Sequence, residues 1–199
     1  MKRHLFAIVF ILATSPAAWR ATHAAEIEVY FSPNGGAAHA AAAEITAAKT
    51  SIQIEAYSIS EEEITAALLA AHAKGIPIQL VVDPGQQAPN YSTADKLKKA
   101  GIRTVTDRKH QLFHNKVIIV DETTVITGSM NFTHSGNAKN AENMLIIRDP
   151  TIAAKYSADF RIHYDHSDPY IAKPFSPRHA RKTPLNLLPI REPAHAQEP

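Results

Sequence analysis

HNKVIIVDETTVITGSMN, residues 114–131, consists of two β-branched apolar runs separated by a polar tetrad and flanked by polar groups at both outer ends. Short runs rich in Val, Ile and Thr, bounded by turn formers, read as strands. The Asp-Glu-Thr-Thr between them predicts a hairpin, with Asp121 bonding backbone amides as a turn residue. If Glu122 and Thr123 make the turn, Asp121 pairs with Thr124. Lys116 then falls opposite Ser129, and His114 opposite Asn131, provided the first strand starts by His114. A four-residue loop keeps that register and an odd loop does not. Opposed residues sit on one face about 5 Å apart, so the hairpin is expected to gather an imidazole, an ammonium, a hydroxyl and a carboxamide. Gly128, with no side chain, is expected to let the backbone approach whatever they bind.

Outward from this hairpin, strand-like and helix-like segments alternate. Residues 26–31, 51–57, 76–82, 102–105 and 142–148 read as strands, and 36–49, 61–74, 93–100 and 150–163 as helices. Ser60 and Glu63 have the spacing of a capping box, and Gly75 and Gly101 end their helices. This order predicts an α/β fold with a mixed β-sheet flanked by helices on both faces, an α/β/α sandwich.

The chain ends read differently. Lys2 and Arg3 precede an apolar stretch over 5–13, and small residues over 21–25 offer cleavage after Ala24 with Thr22 at −3. Residues 1–24 are therefore expected to be a secretory signal peptide, the apolar stretch being too short to span a bilayer comfortably. The domain is expected over 25–164. Seven of the thirteen prolines fall in 165–199, which reads as a Pro-rich tail, disordered or draped on the surface. The chain has no Cys, which suits a periplasmic or secreted protein with an adequate core. Lys2, Arg3 and Arg20 would leave with the leader and no acid would, so a net charge of +2 becomes −1. No global basic field remains. Lys96, Lys98, Lys99, Arg103, Arg108, Lys109 and Lys116 are crowded locally, either as a solvated surface or as a guide for a polyanion.

Lys116, Ser129 and Asn131 together suit the oxygens of a phosphate. His114 can attack phosphorus or move a proton near neutral pH. No carboxylate cluster at metal spacing accompanies them, so no cofactor or metal is expected in the chemistry. The spacing His114-x-Lys116-x4-Asp121-x6-Gly128-Ser129-x-Asn131 resembles the HKD signature of the phospholipase D superfamily. The segments VYFSP, IQIEAYSIS and GSMNFTHSG, with Asn140-x-Glu142-Asn143, resemble that superfamily's small secreted bacterial endonucleases. The resemblance implies a phosphohistidine on one His and a second motif's His as acid, then as base for water. It also implies that Lys116, Ser129 and Asn131 hold the phosphate and that Glu142 orients an imidazole. Asp121 matches the signature, but the parity of the strand gives it a supporting role. One motif per chain implies a homodimer sharing one site. DNA is the expected substrate, with RNA as a further candidate, and no stable membrane association is expected once the leader is gone.

Two rivals share these residues: a lipid phosphodiesterase, and a catalytically silent nucleic-acid-binding protein using residues 96–116. His110 with His114, and His163 with His166, have spacings that could hold a metal, but neither pair is expected to be a functional site. His134 reads as a surface residue, and Tyr57 and Phe132 as packing near the pocket.

Overall fold

The computed structural model describes residues 24–87 and 93–172. The expected leader, apart from Ala24, and the tail beyond 172 lie outside the described residues. The elements in chain order are β1 (Glu26–Ser32), α1 (Ala37–Ala47), β2 (Ile52–Ala56), α2 (Glu62–Ala73), β3 (Ile78–Val82) and α3 (Thr93–Lys99). They continue with β4 (Arg103–Thr106), β5 (Lys116–Val120), β6 (Thr124–Gly128), α4 (His134–Ala138), β7 (Glu142–Arg148), α5 (Pro150–His166) and the short β8 (Asp168–Pro169). The eight strands form one sheet in the order β1-β7-β6-β5-β2-β3-β4-β8. β2, β3 and β4 are parallel and all other pairings are antiparallel, so the sheet is mixed as expected.

Each face of the sheet carries its own core. On one face Ile54, Ile118, Ile126 and Ile146 lie directly opposite one another across four strands, each at most 1% exposed. Burying each such side chain contributes about 1.5–3 kcal/mol. α1 and α2 close over this row with Ala38, Ala41, Ile45, Ile64 and Leu68. The alanines keep both helices close to the sheet and to each other. On the other face Val81, Val117, Ile119 and Val125 pack against Ala153 and Phe160 of α5. Asp149 caps α5, accepting from the backbone N–H of Thr151 and Ile152 at 2.7 and 2.9 Å.

Four expectations are corrected. The hairpin loop is odd: Val120 pairs with Thr124 and Val117 with Thr127, leaving a three-residue loop of Asp121, Glu122 and Thr123. Asp121 and Glu122 both have φ of 54°. The Asp121 carboxylate accepts from the backbone N–H of Lys49, Thr50 and Ser51 at 2.9, 2.7 and 3.1 Å, and from the Thr50 hydroxyl at 2.9 Å. That clasp on the α1–β2 loop draws Asp121 out of the ladder. Second, β5 begins at Lys116, so His114 precedes the strand. Third, the Ser60 capping box does not form. Ile59 bridges Phe132, and the N–H groups of Ser60 and Glu61 both donate to the Phe132 carbonyl at 2.7 and 2.8 Å. The chain stays extended there, and Glu61 becomes the N-cap with no side-chain bond. Fourth, ordered structure continues past 164. α5 reaches His166, β8 pairs antiparallel with β4, and Tyr170 is buried with its hydroxyl donating to the Gln86 carbonyl at 3.0 Å.

Candidate active site

His114, Lys116, Ser129 and Glu142 all come from segments at one end of the sheet's central strands. The link from β4 to β5, residues 107–115, carries His114 and is pinned at three places. Asp107 N–H donates to the Val82 carbonyl at 3.0 Å, Phe113 N–H to the Asp83 carboxylate at 3.0 Å, and Tyr57 N–H to the Asn115 carbonyl at 2.9 Å. His114 is exposed, and its ring lies 4.5 Å from that of Tyr57. Lys116 is 7% exposed, and its Nζ donates to the His114 carbonyl at 2.6 Å and stands 5.1 Å from the Tyr57 ring centre. Burial pushes this ammonium below the usual lysine range, and the Glu142 carboxylate opposes that push.

The altered register puts Lys116 beside Gly128 rather than Ser129, and a bulge then re-aims the chain. The N–H groups of Ser129 and Met130 both donate to the Asn143 carbonyl, at 3.1 and 3.3 Å, two residues against one. Met130 turns into the core while Ser129 is exposed. Gly128 serves this bulge rather than a ligand, because a Cβ there would lie 2.3 Å from the Asn143 carbonyl oxygen. The Ser129 hydroxyl donates to Glu142 at 2.6 Å and accepts from Asn143 N–H at 3.0 Å. Asn140 donates to the other Glu142 oxygen at 3.0 Å. The Ser129 bond, and then the Asn140 bond, hold the Glu142 carboxyl below its usual range. Within one chain, therefore, Glu142 is engaged by Ser129 and Asn140 rather than by the His114 ring.

Asn131 lies past the bulge. Its carbonyl accepts from Thr133 N–H at 2.7 Å, and its buried side-chain oxygen has no hydrogen-bond partner among the described residues. Asp121 is at the far end of β5 from Lys116, roughly 16 Å of strand away. The basic run is largely spoken for: Lys98 donates to the Tyr170 carbonyl, Lys99 pairs with Asp95 at 2.6 Å, and Arg108 contacts Gln87 at 2.8 Å and Asp168 at 3.4 Å.

The sequence reading missed a second layer behind His114. Glu55 on β2 is 2% exposed and accepts from the Asn115 amide at 2.8 Å, and its other oxygen meets the His163 ring at 2.6 Å. Burial raises the Glu55 carboxyl, against the His163 contact. An acid in the apolar run IQIEAY was the available signal. His163 and His114 both line a cleft of about 270 Å³.

An imidazole, a buried ammonium and a hydroxyl–carboxylate pair thus lie together at one end of a mixed α/β sheet, groups whose chemistry suits the oxygens of a phosphate. The chain belongs to the phospholipase D superfamily: residues 42–164 match the family described as cardiolipin synthase, PLD-like domain. Phospholipase D of Rickettsia bellii is 37% identical over 131 residues, covering 66% of this chain and 65% of that protein. Mitochondrial cardiolipin hydrolase of Xenopus tropicalis is 30% identical over 122 residues, 61% of this chain and 58% of that protein. The chain thus spans less than two thirds of the length of these curated relatives. The crystal structure of Nuc from Salmonella typhimurium, a phospholipase D family member, aligns with a TM-score of 0.70 and 33% identity, covering 74% of this chain and 99% of Nuc.

Proposed function

We propose that the protein is a metal-independent endonuclease that hydrolyses DNA without sequence preference, at a site completed by a second copy of the chain. The observation that carries this reading is the clustering of Lys116, Ser129 and Glu142 beside a single exposed His114. In the first step a His114 ring nitrogen attacks phosphorus. A P–O ester bond breaks, and the second copy's His114 gives its proton to the leaving oxygen. In the second step that imidazole takes a proton from water, the hydroxide attacks the phosphohistidine, and the P–N bond breaks. Lys116, Ser129 and Asn131 hold the non-bridging oxygens, whose charge grows as the fifth bond forms.

A surface suited to the second copy lies beside the site. α5 packs on β2, β3, β5 and β6, and the outer strands on that face keep Ile27, Val29 and Phe31 at 53%, 53% and 62% exposed. Phe31 pairs with Asn143 and Ser32 with Glu142, so this apolar strip runs up to the catalytic end of β7. Among the described residues no helix is long and apolar enough to cross a membrane. The leader-like start supports a periplasmic or secreted location.

Lipid is the competing substrate, favoured by the names of the rickettsial and Xenopus relatives. Incubation with supercoiled plasmid in excess EDTA, followed by phosphatidylcholine–cardiolipin vesicles, separates the two. Nicking is expected from the native chain, and His114→Ala, which removes the nucleophile as well as the acid, should be slower by more than about 10⁴-fold. Phosphatidate release without nicking would transfer the reading to lipid.

A further inference from the structure

Behind the catalytic cleft, three histidine rings converge that the proposed hydrolysis does not use. His110, from the β4–β5 link, lies 5.4 Å from His163 and 5.6 Å from His166, both on α5, and those two are 5.7 Å apart. The sequence spacing pairs His110 with His114; the fold pairs it with His166. Between His110 and His166 sits Asp107, whose side chain is 0% exposed. Asp107 Oδ2 is 3.0 Å from His110 Nδ1 and 2.6 Å from His166 Nε2. The three ligand atoms all lie within 4.8 Å of one another.

We propose that Asp107, His110 and His166 bind one divalent transition-metal ion of the zinc class, which ties the last turn of α5 to the segment carrying His114. Zinc–ligand bonds of about 2.0–2.2 Å place tetrahedral ligand atoms about 3.4 Å apart, so the two Asp107 contacts need open by less than about 1 Å, and the two imidazole nitrogens, within 4.8 Å of each other, need close by no more than about 1.4 Å. A carboxylate with two neutral imidazoles is a donor set suited to zinc. The outer shell is built as well. Asp107 Oδ1 accepts from the backbone N–H of Lys109 and His110, both at 3.0 Å, which fixes the carboxylate and leaves Oδ2 for the metal. His110 is 46% exposed on its side chain, so the fourth position opens to water and the ion has a way in. The neighbouring trio of Glu55, Asp159 and His163 is the weaker candidate, having a single imidazole. The ion's role is mechanical: His110 is four residues before His114, so clamping it to α5 holds the nucleophile's backbone. This site stands apart from the proposed chemistry, which uses no metal.

The test is titration of the chelator-treated, buffer-exchanged chain with zinc chloride by calorimetry, alongside His110→Gln, His166→Gln and, as a control at an exposed histidine elsewhere, His39→Ala. One equivalent is expected to bind the native chain and the control equally. Each Gln variant should bind more than about 100-fold more weakly, beyond the range for loss of an outer partner alone. Zinc at about 100 times its Kd should raise Tm of the native chain by about 5–10 °C and leave the Gln variants unmoved. Cobalt substitution of the native chain should give the visible bands of a tetrahedral site, a readout that needs no variant to fold. Absence of saturable binding, equal binding by the Gln variants, or a purely octahedral cobalt spectrum would each overturn the proposal.

Discussion

At the scale of residues, the site's electrostatics turn on Lys116. A buried ammonium beside an exposed imidazole provides charge where a phosphate would sit, at the cost of a lowered affinity for its own proton. Glu142 counters that cost through its charge. Replacing Glu142 with Gln removes the counterweight, so the Lys116 ammonium should lose its proton at a lower pH than in the native chain. The alkaline limb of the pH–rate profile is then expected to move toward acid, measured as initial rates of plasmid nicking. Lys116→Met keeps the aliphatic stem and deletes the charge. Turnover should fall by about 10²–10³-fold, with the melting curve little changed. The identities of these groups were legible in the sequence because motif spacing records them. The meetings of Glu55 with His163 and of Asp107 with His166 were not, since they join β2 and the β4–β5 link to α5 across separations of 108 and 59 residues.

At the scale of elements, the strands and helices follow from alternation and apolar runs, and most lie within a residue or two of where the sequence puts them. The hairpin register does not, because its deciding contacts are made by Lys49, Thr50 and Ser51, some seventy residues before Asp121. The capping box failed for the same reason, with Phe132 holding the peptide that Ser60 would have bent. The clasp predicts a stability effect separable from activity. Removing the acceptor in Asp121→Ala unpairs several backbone donors and should cost about 1–3 kcal/mol, with nicking at 25 °C nearly unaffected. The backbone bonds, against burial, hold the Asp121 carboxyl below its usual range. Its contribution is therefore present above the unfolded value of 3.8 and lost as pH falls through the lower folded one. Asp121→Asn keeps an acceptor oxygen but removes that acid-side loss. Acid titrations of the two chains, followed by near-ultraviolet circular dichroism, should diverge below about pH 4.

At the scale of the whole molecule, the sheet is covered unevenly among the described residues: α1 and α2 close over one face, and α5 covers only part of the other. The strip of Ile27, Val29 and Phe31 is where a second copy is expected. Phe31→Asp should convert a dimer into a monomer in sedimentation velocity and abolish nicking while leaving the far-ultraviolet spectrum intact. A Phe31→Asp chain that remained dimeric and active would place the interface elsewhere. The pairing of that same edge strand has a further consequence, for the order in which the fold can be assembled. β1 leaves the ribosome first among the strands, yet its partner is β7, with Glu26 aligned to Arg148 across 122 residues. A contact between residues so far apart in sequence can form only after nearly the whole domain has been made. Until residues 142–148 are made, the first strand waits with its hydrogen-bonding edge unsatisfied. During synthesis the sheet therefore stays open along that edge until most of the chain has been made.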